Sequence, residues 1–510
     1  MLTALVGVAL AVECPPLVAD GGCLQPALGA LAARARAGDV CALERLGALG
    51  LPPSPPPPPP LPDVKLLRDA YGVPNAVESE NFVVRWGQGF TEGDAQDILD
   101  SFEYAWEREI TDMGHPPPSY SDIYKFNVYI GDSGGGTPSS YGAAGYYYDD
   151  REGYPMIVLN RDIVRDGYTV PTTSAHEFYH AIQAATGSYD YAGVGAWYWE
   201  ATATWMESEV WPNDPNFVSF IFGYSFFPGR AINTFDYPDT GALIEYHQYG
   251  AFIFPRYLAE IVGDWSIIKE SWTRTRGSDD PLEVIDAILQ TSYDTDLATV
   301  FGDFAARNVT WDYRHSDWYS QMNDSAESYY PGESERIYAE YDGSTFGEQR
   351  VGSLVGPERF GTFNIRLTDP VGGPDVWVGF TGDELGDAGS PAAWNVWLVA
   401  LDGGRVSYSP VDWQNEDGGA WVRDAGSDDE LWLVVSNVSD RLVWDENFGF
   451  SYTIEPGDAD GTPEDSAVDT GEPKDSEPRS CACSGAPGVP SLGLSGLALA
   501  WLVRRRSAAA

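Results

Sequence analysis

Cysteine is nearly absent from this 510-residue sequence, and its five cysteines lie near the two ends. Cys41 is the last of the N-terminal three and Cys481 the first of the C-terminal two. The long segment between them contains none. Disulfides and thiolate sites are therefore excluded from the central part of the chain.

Basic residues are also scarce, with 30 Lys and Arg against 77 Asp and Glu and a net charge of -47. A negative field of this strength repels phosphate backbones, which makes nucleic acid a poor partner. The charge suits an extracellular protein kept soluble by an acidic surface, or a protein that binds cations. With 43% hydrophobic and 13% aromatic residues, most of the chain is expected to fold into two or three domains.

The N-terminal end has features of an exported protein. Residues 1–11 form a short apolar segment that ends in Ala-Leu-Ala and suits signal-peptide cleavage, although no Lys or Arg precedes it. Residues 12–62 are expected to form a helical prosegment and a Pro-rich extended linker. Export is therefore predicted.

The C-terminal end begins with an acidic, turn-rich linker at 457–480 that is expected to be disordered. In residues 481–510 a cysteine pair precedes an apolar stretch of roughly fifteen residues, which is short for a membrane span. Three arginines follow at 504–506. This order resembles the C-terminal sorting signals of myxobacterial surface proteins.

The resemblance implies a lipid anchor on Cys481 or Cys483 at the bacterial outer surface. A plain tail anchor is the alternative interpretation of the same residues. Both place the folded domains outside the cytoplasm. We therefore expect a secreted protein that is attached to the membrane through its tail or a lipid.

The central part of the sequence divides into two patterns. Residues 63–330 mix strand and helix periodicities, whereas 331–456 show short alternating runs with Gly and Asp turns, typical of a β-sandwich. The fold class is therefore predicted to be α+β. Strands are expected at 80–86, 124–130, 144–148, 156–160, 362–367, 376–380, 395–400, 431–435 and 450–454. Helices are expected at 91–113, from Pro171 onward, and at 195–210, 248–262, 281–289 and 296–308.

A short histidine motif, HEFYH, begins at His176. On a helix, His176 and His180 share one face and can bind one metal ion, while Glu177 lies beside them and can polarise a metal-bound water. Zinc favours such a site, because three protein ligands leave a fourth position for water. The chain has only five histidines, so a chance match to this motif is rare.

A third ligand is available in the next predicted helix. Glu200 follows His176 by 24 residues and lies among Trp, Ala and Met, where an unpaired acid is costly to bury. Glu207 or Glu209 is the alternative ligand. Glu207 and Thr204 share the face of Glu200, so either could orient a histidine.

HEFYH with Glu200 at this spacing is similar to the gluzincin peptidases, of which thermolysin is the familiar example. The resemblance implies zinc held by His176, His180 and Glu200, with Glu177 as general base and proton shuttle. The order strand, long helix, three strands, motif helix also looks like the upper lobe of a zincin. Residues 63–330 are therefore expected to form a zincin-like peptidase domain.

Two departures from known patterns bear on this resemblance. The metzincin pattern does not fit, because Gln183 and Thr186 stand where it needs Gly and His. Thermolysin-like enzymes carry an Asp four residues after the glutamate ligand, and here that place is Thr204.

Peptide hydrolysis also needs a hydrogen-bond donor to the developing oxyanion. The segment that includes His247 and Tyr249 opens a helix in the region where gluzincins carry this donor. Tyr249 is the first choice and His247 the second, with simple packing of both as the alternative. His115 and His315 are the remaining histidines.

Strand 156–160 is a candidate edge strand for binding an extended substrate, or else a core strand. The predicted function is a secreted, surface-anchored zinc endopeptidase, with protein or peptide substrates and a monomeric state. The β-sandwich is then an accessory module. The alternative is a catalytically silent zincin-fold surface protein that binds or adheres through the β-sandwich.

Overall fold

The structure is a computed structural model that describes most of residues 64–457. The ranges left out are 191–192, 237–241, 275–278, 342–346, 369–374, 412, 415–416, 423–429 and 440–445. The signal-like segment, the prosegment with its linker, the acidic linker and the C-terminal tail lie outside the described residues. Among the helices that are described, none is both long enough and apolar enough to cross a membrane.

The described residues form two compact units. The first extends to Phe227 and resumes from Ile232 to Val300, whereas the second comprises Pro228–Ala231 and the chain from Phe301 onward. The division therefore lies earlier in the chain than the predicted boundary after residue 330.

The first unit contains a five-stranded sheet in the order β1-β2-β3-β5-β4. Its strands are β1 Asn75–Glu78, β2 Phe82–Trp86, β3 Phe126–Gly131, β4 Gly145–Asp149 and β5 Pro155–Asn160. β2, β3 and β5 are parallel, while β1 and β4 pair antiparallel at the two edges. The interpretation of 156–160 as an edge strand is wrong, since β5 lies between β3 and β4. The edge on that side is β4.

The first helices of this unit are α1 Glu92–Trp106, α2 Arg161–Asp166, α3 Val170–Thr186 and α4 Ala196–Val210. α1, α3 and α4 follow the predicted order, whereas the short α2 was not predicted. α1 begins with a capping box between Thr91 and Asp94, and a π-helical segment, Glu107–Asp112, extends it. α3 and α4 correspond to the two helices predicted to carry the metal ligands.

The helix predicted at 248–262 is broken into pieces. After 3₁₀ segments at Pro215–Phe220 and Leu243–Tyr246, the helices of this region are α5 Ile221–Ser225, α6 His247–Gly250 and α7 Ile253–Tyr257, followed by a π-helical segment at Leu258–Val262. Pro255 has no backbone N–H to donate, which disfavours one continuous helix. α8 Ser266–Thr273 and α9 Pro281–Ser292 complete the unit, and α10 Leu297–Arg307 crosses the division.

The second unit consists of the end of α10, helix α11 Ser316–Tyr329 and two five-stranded sheets. The strands are β6 Ala339–Tyr341, β7 Gly347–Val351, β8 Thr362–Thr368, β9 Asp375–Gly382, β10 Trp394–Asp402, β11 Arg405–Pro410, β12 Trp413–Gln414, β13 Asp417–Val422, β14 Glu430–Asn437 and β15 Phe450–Gly457. The sheet orders are β11-β10-β14-β8-β6 and β12-β13-β9-β15-β7. The predicted α+β class and the five predicted C-terminal strands are confirmed.

Both sheets contribute to one core in the second unit. Ile365 and Leu433 come from the first sheet, and Val378 and Phe450 from the other. Residues 301–330 belong with these sheets because the end of α10 and the turn after it pack apolar side chains on β10 and β14. The residues in this contact are Ala305, Ala306, Val309, Val399, Trp432 and Val434.

Candidate metal centre

The motif helix α3 is defined by its two ends. Pro171 occupies the first turn, where its missing N–H has no helical partner to lose, and Gly187 ends the helix with a φ of 63°. Between them, His176 and His180 lie one turn apart on a buried face, with ring centroids 4.8 Å apart. The predicted shared face of the two histidines is observed.

Helix α4 presents the third group. Every residue of α4 except Glu209 is buried, and small side chains such as Ala201 and Ala203 allow it to pack closely against α3. Glu200 is 0% exposed in this setting. A carboxylate so deeply buried is stable only if positive charge or hydrogen bonds compensate it.

The three groups converge. Oε2 of Glu200 lies 3.3 Å from Nε2 of His176 and 3.7 Å from Nε2 of His180. One ligand atom from each residue can be chosen such that all lie within 4.8 Å of one another. Within the described residues, Nε2 of His180 and Oε1 of Glu200 have no hydrogen-bond partner. Two imidazoles and a carboxylate that converge in this way could hold a metal ion.

The charge of Glu200 is set by its neighbours. Burial raises the pKa of this carboxyl, but the two histidines outweigh it and lower the pKa to about 2. Burial raises the pKa of Glu207, against the opposing effect of its hydrogen bond to His176. The pKa of Glu200 is thus lowered and that of Glu207 raised, and Glu200 is the acid whose Oε2 lies near both imidazole Nε2 atoms.

The other ring nitrogen of each histidine also has a partner. Nδ1 of His176 lies 2.8 Å from Oε1 of Glu207, and Nδ1 of His180 lies 2.6 Å from Oε1 of Gln183. The sequence offered Glu207 or Thr204 for such a role. The hydroxyl of Thr204 has no hydrogen-bond partner within the described residues. Gln183 was not predicted, although its spacing of three from His180 on one helix could have indicated it.

Glu209, the remaining alternative ligand, is engaged elsewhere. Its Oε1 lies 3.0 Å from a guanidinium nitrogen of Arg256, which is itself buried. Glu207 likewise contacts Nδ1 of His176, away from the Nε2 atoms that face Glu200. The geometry therefore favours Glu200 over both alternatives as the third ligand.

Glu177 lies against the edge strand of the sheet. It is 1% exposed, and a Cβ placed on Gly145 of β4 would lie 2.9 Å from its Cγ and 3.0 Å from its Oε1. The absence of a side chain at Gly145 therefore leaves the space that Glu177 occupies. This contact was not predicted, since nothing in the sequence pairs these two positions.

The two candidate oxyanion donors have different surroundings. The buried ring of Tyr249 is stacked near that of His176, with centroids 6.4 Å apart and planes at 29°. The buried ring of His247 contacts Tyr224, with centroids 5.5 Å apart. Tyr249 is thus placed beside a candidate ligand.

The other two histidines have aromatic neighbours. His115 is buried, and its ring packs edge-on against Tyr179 at 5.2 Å. His315 belongs to the second unit, where it stacks on Trp318 at 4.1 Å. Neither is among the residues that form the metal-ligand group.

The profile of a family of unknown function, DUF6055, matches residues 63–451. The chain belongs to this family. The match includes every residue of the candidate centre and extends through the first unit into most of the described part of the second, but the family's description assigns no activity. No curated protein matches the chain.

One solved structure with a detectable similarity is a 4-O-methyl-α-glucuronidase of family GH115 with specificity for decorated arabinogalactans. The identity is 9%, the match covers 59% of this chain, and the TM-score is 0.14. The chain spans less than half of that protein, 46% of its length. A similarity this low supports no conclusion about activity.

Proposed function

We propose that this protein is a zinc-dependent endopeptidase of the gluzincin type. The observation that carries the proposal is the convergence of His176, His180 and Glu200 on one point in a buried setting, with Glu177 next to them in the motif. Glu177 and Tyr249 are assigned roles from their positions near these three residues.

The ligands are His176 and His180 from α3 and Glu200 from α4. A zinc ion held there would supply Lewis-acid polarisation of a water molecule and of the substrate carbonyl. The hydrogen bonds at the Nδ1 atoms leave both Nε2 atoms available as ligands. The anionic Glu200 offsets part of the charge of the ion.

Glu177 is the general base in this proposal. Its carboxylate takes a proton from the attacking water and delivers it to the leaving amine. Its burial against Gly145 holds it in one place and keeps bulk water away. The phenol of Tyr249 donates a hydrogen bond to the oxygen on which negative charge develops.

The proposal extends to the domains. The first unit corresponds to a zincin-like domain, with a mixed sheet, an antiparallel edge strand and the motif helix beneath it. The second unit, with two sheets around one core, corresponds to a β-sandwich that serves as an accessory module. Secretion and surface attachment through the tail belong to the same proposal.

The test begins with metal content. The purified full-length protein is expected to contain about one zinc per chain and to cleave a generic unfolded protein such as reduced casein. A chelator should abolish cleavage, and added zinc should restore it. His180→Leu and Glu200→Gln should lose most of the zinc, whereas His315→Gln, in the other unit, should retain it.

Two results would contradict the proposal. A purified protein that contains no zinc, and that binds none when zinc is added, would contradict the proposed metal site. Stoichiometric zinc without cleavage of any of several unfolded proteins would instead favour the alternative, a catalytically silent zincin-fold surface protein.

A further inference from the structure

We propose that Gln183 is a positioning residue that locks His180 in the tautomer with the proton on Nδ1 and the lone pair on Nε2. This inference rests on the proposed zinc site, because it concerns the side chain that presents one ligand. The argument uses hydrogen bonds that extend from α3 through α4 to α8.

The amide of Gln183 can be oriented in only one way. Gln183 is 1% exposed, and its Nε2 lies 3.0 Å from the carbonyl oxygen of Trp199. A carbonyl oxygen only accepts hydrogen bonds, so the group that faces it must be the NH₂. The other amide atom, Oε1, is therefore the one that lies 2.6 Å from Nδ1 of His180.

Thr202 gives independent support for this orientation. Its hydroxyl has a single proton, which it donates to the carbonyl oxygen of Tyr198 at 2.6 Å. Oγ1 can therefore only accept from the amide nitrogen of Gln183, 2.8 Å away. A flipped amide would place two acceptors opposite each other at this contact and at Trp199.

Trp272 completes the network from a different helix. Its indole nitrogen, which is only a donor, lies 3.2 Å from Oγ1 of Thr202. Thr202 and Trp272 are both buried, so water cannot easily replace a lost partner. α8 thus contributes to the orientation of a ligand that lies on α3.

The consequence at His180 follows directly. An acceptor at 2.6 Å requires a proton on Nδ1, and a neutral imidazole then has its lone pair on Nε2. That Nε2 atom has no hydrogen-bond partner within the described residues and lies 3.7 Å from Oε2 of Glu200. Two electron-pair donors face each other, as a metal site requires.

The choice of an amide has an electrostatic reason. His176 already has a carboxylate, Glu207, at its Nδ1, and Glu200 contributes a second acid. A further buried carboxylate at position 183, in addition to Glu200, Glu207 and Glu177, would add negative charge that a divalent ion could not balance. It would also face the carbonyl oxygen of Trp199. Gln183 supplies the acceptor without the charge.

The test compares zinc affinity in full-length variants by competition with a chelator. Gln183→Met keeps the length of the side chain but removes the acceptor, and we expect the Kd for zinc to rise about 10–100-fold. Gln96→Met is the matched control, since Gln96 lies on α1 and its amide bonds only to exposed Asp100 among described residues. Its Kd should equal that of the wild type.

A second pair of variants keeps Gln183. Thr202→Val removes the acceptor for the amide and should raise the Kd by a smaller factor, about threefold to tenfold, because Trp199 still holds the amide. Thr202→Ser retains a hydroxyl and should bind zinc almost as the wild type does. This pair decides the question if Gln183→Met does not fold.

Nitrogen NMR of histidine-labelled, zinc-loaded protein gives a second readout, and the spectrum is simple because the chain has five histidines. The wild type should show His180 with a slowly exchanging Nδ1–H, and Gln183→Met or Thr202→Val should speed its exchange. Unchanged Kd and unchanged Nδ1–H exchange in both would overturn the inference. Failure of the wild type to bind zinc would instead contradict the proposed function.

Discussion

Individual residues at the centre show what sequence spacing can and cannot predict. His176 and His180 were predicted because helical periodicity places them on one face, and Glu200 because its spacing resembles that of the gluzincins. Gln183 was not, because its role depends on a carbonyl and a hydroxyl of a second helix. The spacing of three from His180 places both side chains on one face, but the orientation of the Gln183 amide follows from packing between helices.

Glu207 provides the first prediction at this scale. Glu207→Gln keeps an oxygen that can accept from Nδ1 of His176, so we expect less than a tenfold rise in the Kd for zinc. Glu207→Leu removes the acceptor and should raise it about 10–100-fold. Chelator competition measures both, and equal values for the two variants would show that the hydrogen bond has no role in positioning.

His115 provides a prediction about pH. Burial, with a smaller effect from Lys269, lowers its pKa to about 3 from the usual 6.5. The unfolded chain therefore binds a proton below pH 6.5 that the folded chain does not bind until about pH 3. Stability due to this group is lost as the pH falls through this window, at up to about 1.4 kcal/mol per pH unit.

We expect His115→Phe to lose less of its free energy of unfolding than the wild type between pH 7 and pH 4.5. Urea unfolding at a series of pH values measures the difference, and His315→Phe serves as the control. Parallel curves for wild type and His115→Phe would show that His115 is not held neutral by the fold.

At the scale of helices and strands, the long amphipathic or motif-bearing elements were predicted well. α1, α3 and α4 lie where periodicity and end signals placed them. The single helix predicted at 248–262 was wrong, because Pro255 and local 3₁₀ hydrogen bonds interrupt a helical periodicity that is continuous in the sequence. Strand order was also missed, since the sequence does not show that β4 lies outside β5.

The contact between β4 and α3 gives a prediction of its own. Gly145→Ala should displace Glu177, whose Cγ and Oε1 would lie about 3 Å from the new methyl group. We expect peptide cleavage to fall roughly 10–100-fold, since small misplacements of a catalytic group are costly, while zinc content stays the same.

Gly352→Ala is the matched control for that experiment, because a Cβ there meets nothing within 4 Å. Its cleavage rate should equal that of the wild type. A Gly145→Ala protein with full activity would show that Glu177 does not depend on the space at the edge strand.

At the scale of the whole molecule, the sequence predicts the α+β class and the change from mixed helix and strand periodicities to short alternating runs. It does not predict where the chain passes from the first compact unit to the second. α10 has the period of an ordinary helix, and only the structure shows that its last turn packs on β10 and β14. The candidate centre lies wholly within the first unit, and the core around Leu433 within the second.

Because the candidate centre and this core lie in different units, a substitution that destabilises the second unit should leave zinc binding in the first unchanged. Leu433→Ala, at a fully buried position, should destabilise the second unit by about 2–5 kcal/mol. The Kd for zinc should stay within twofold of the wild type. Thermal unfolding followed by calorimetry, with and without zinc, checks both statements, and a parallel loss of zinc affinity would contradict the assignment of the site to the first unit alone.

The central claim is that Glu177 acts as the base beside a zinc site formed by three residues. The most direct measurement is zinc content and casein cleavage of the full-length Glu177→Gln variant beside the wild type. We predict one zinc per chain in both proteins and a loss of at least about 100-fold in the variant's cleavage rate. Equal cleavage by both proteins, or a wild type that binds no zinc, would contradict the account.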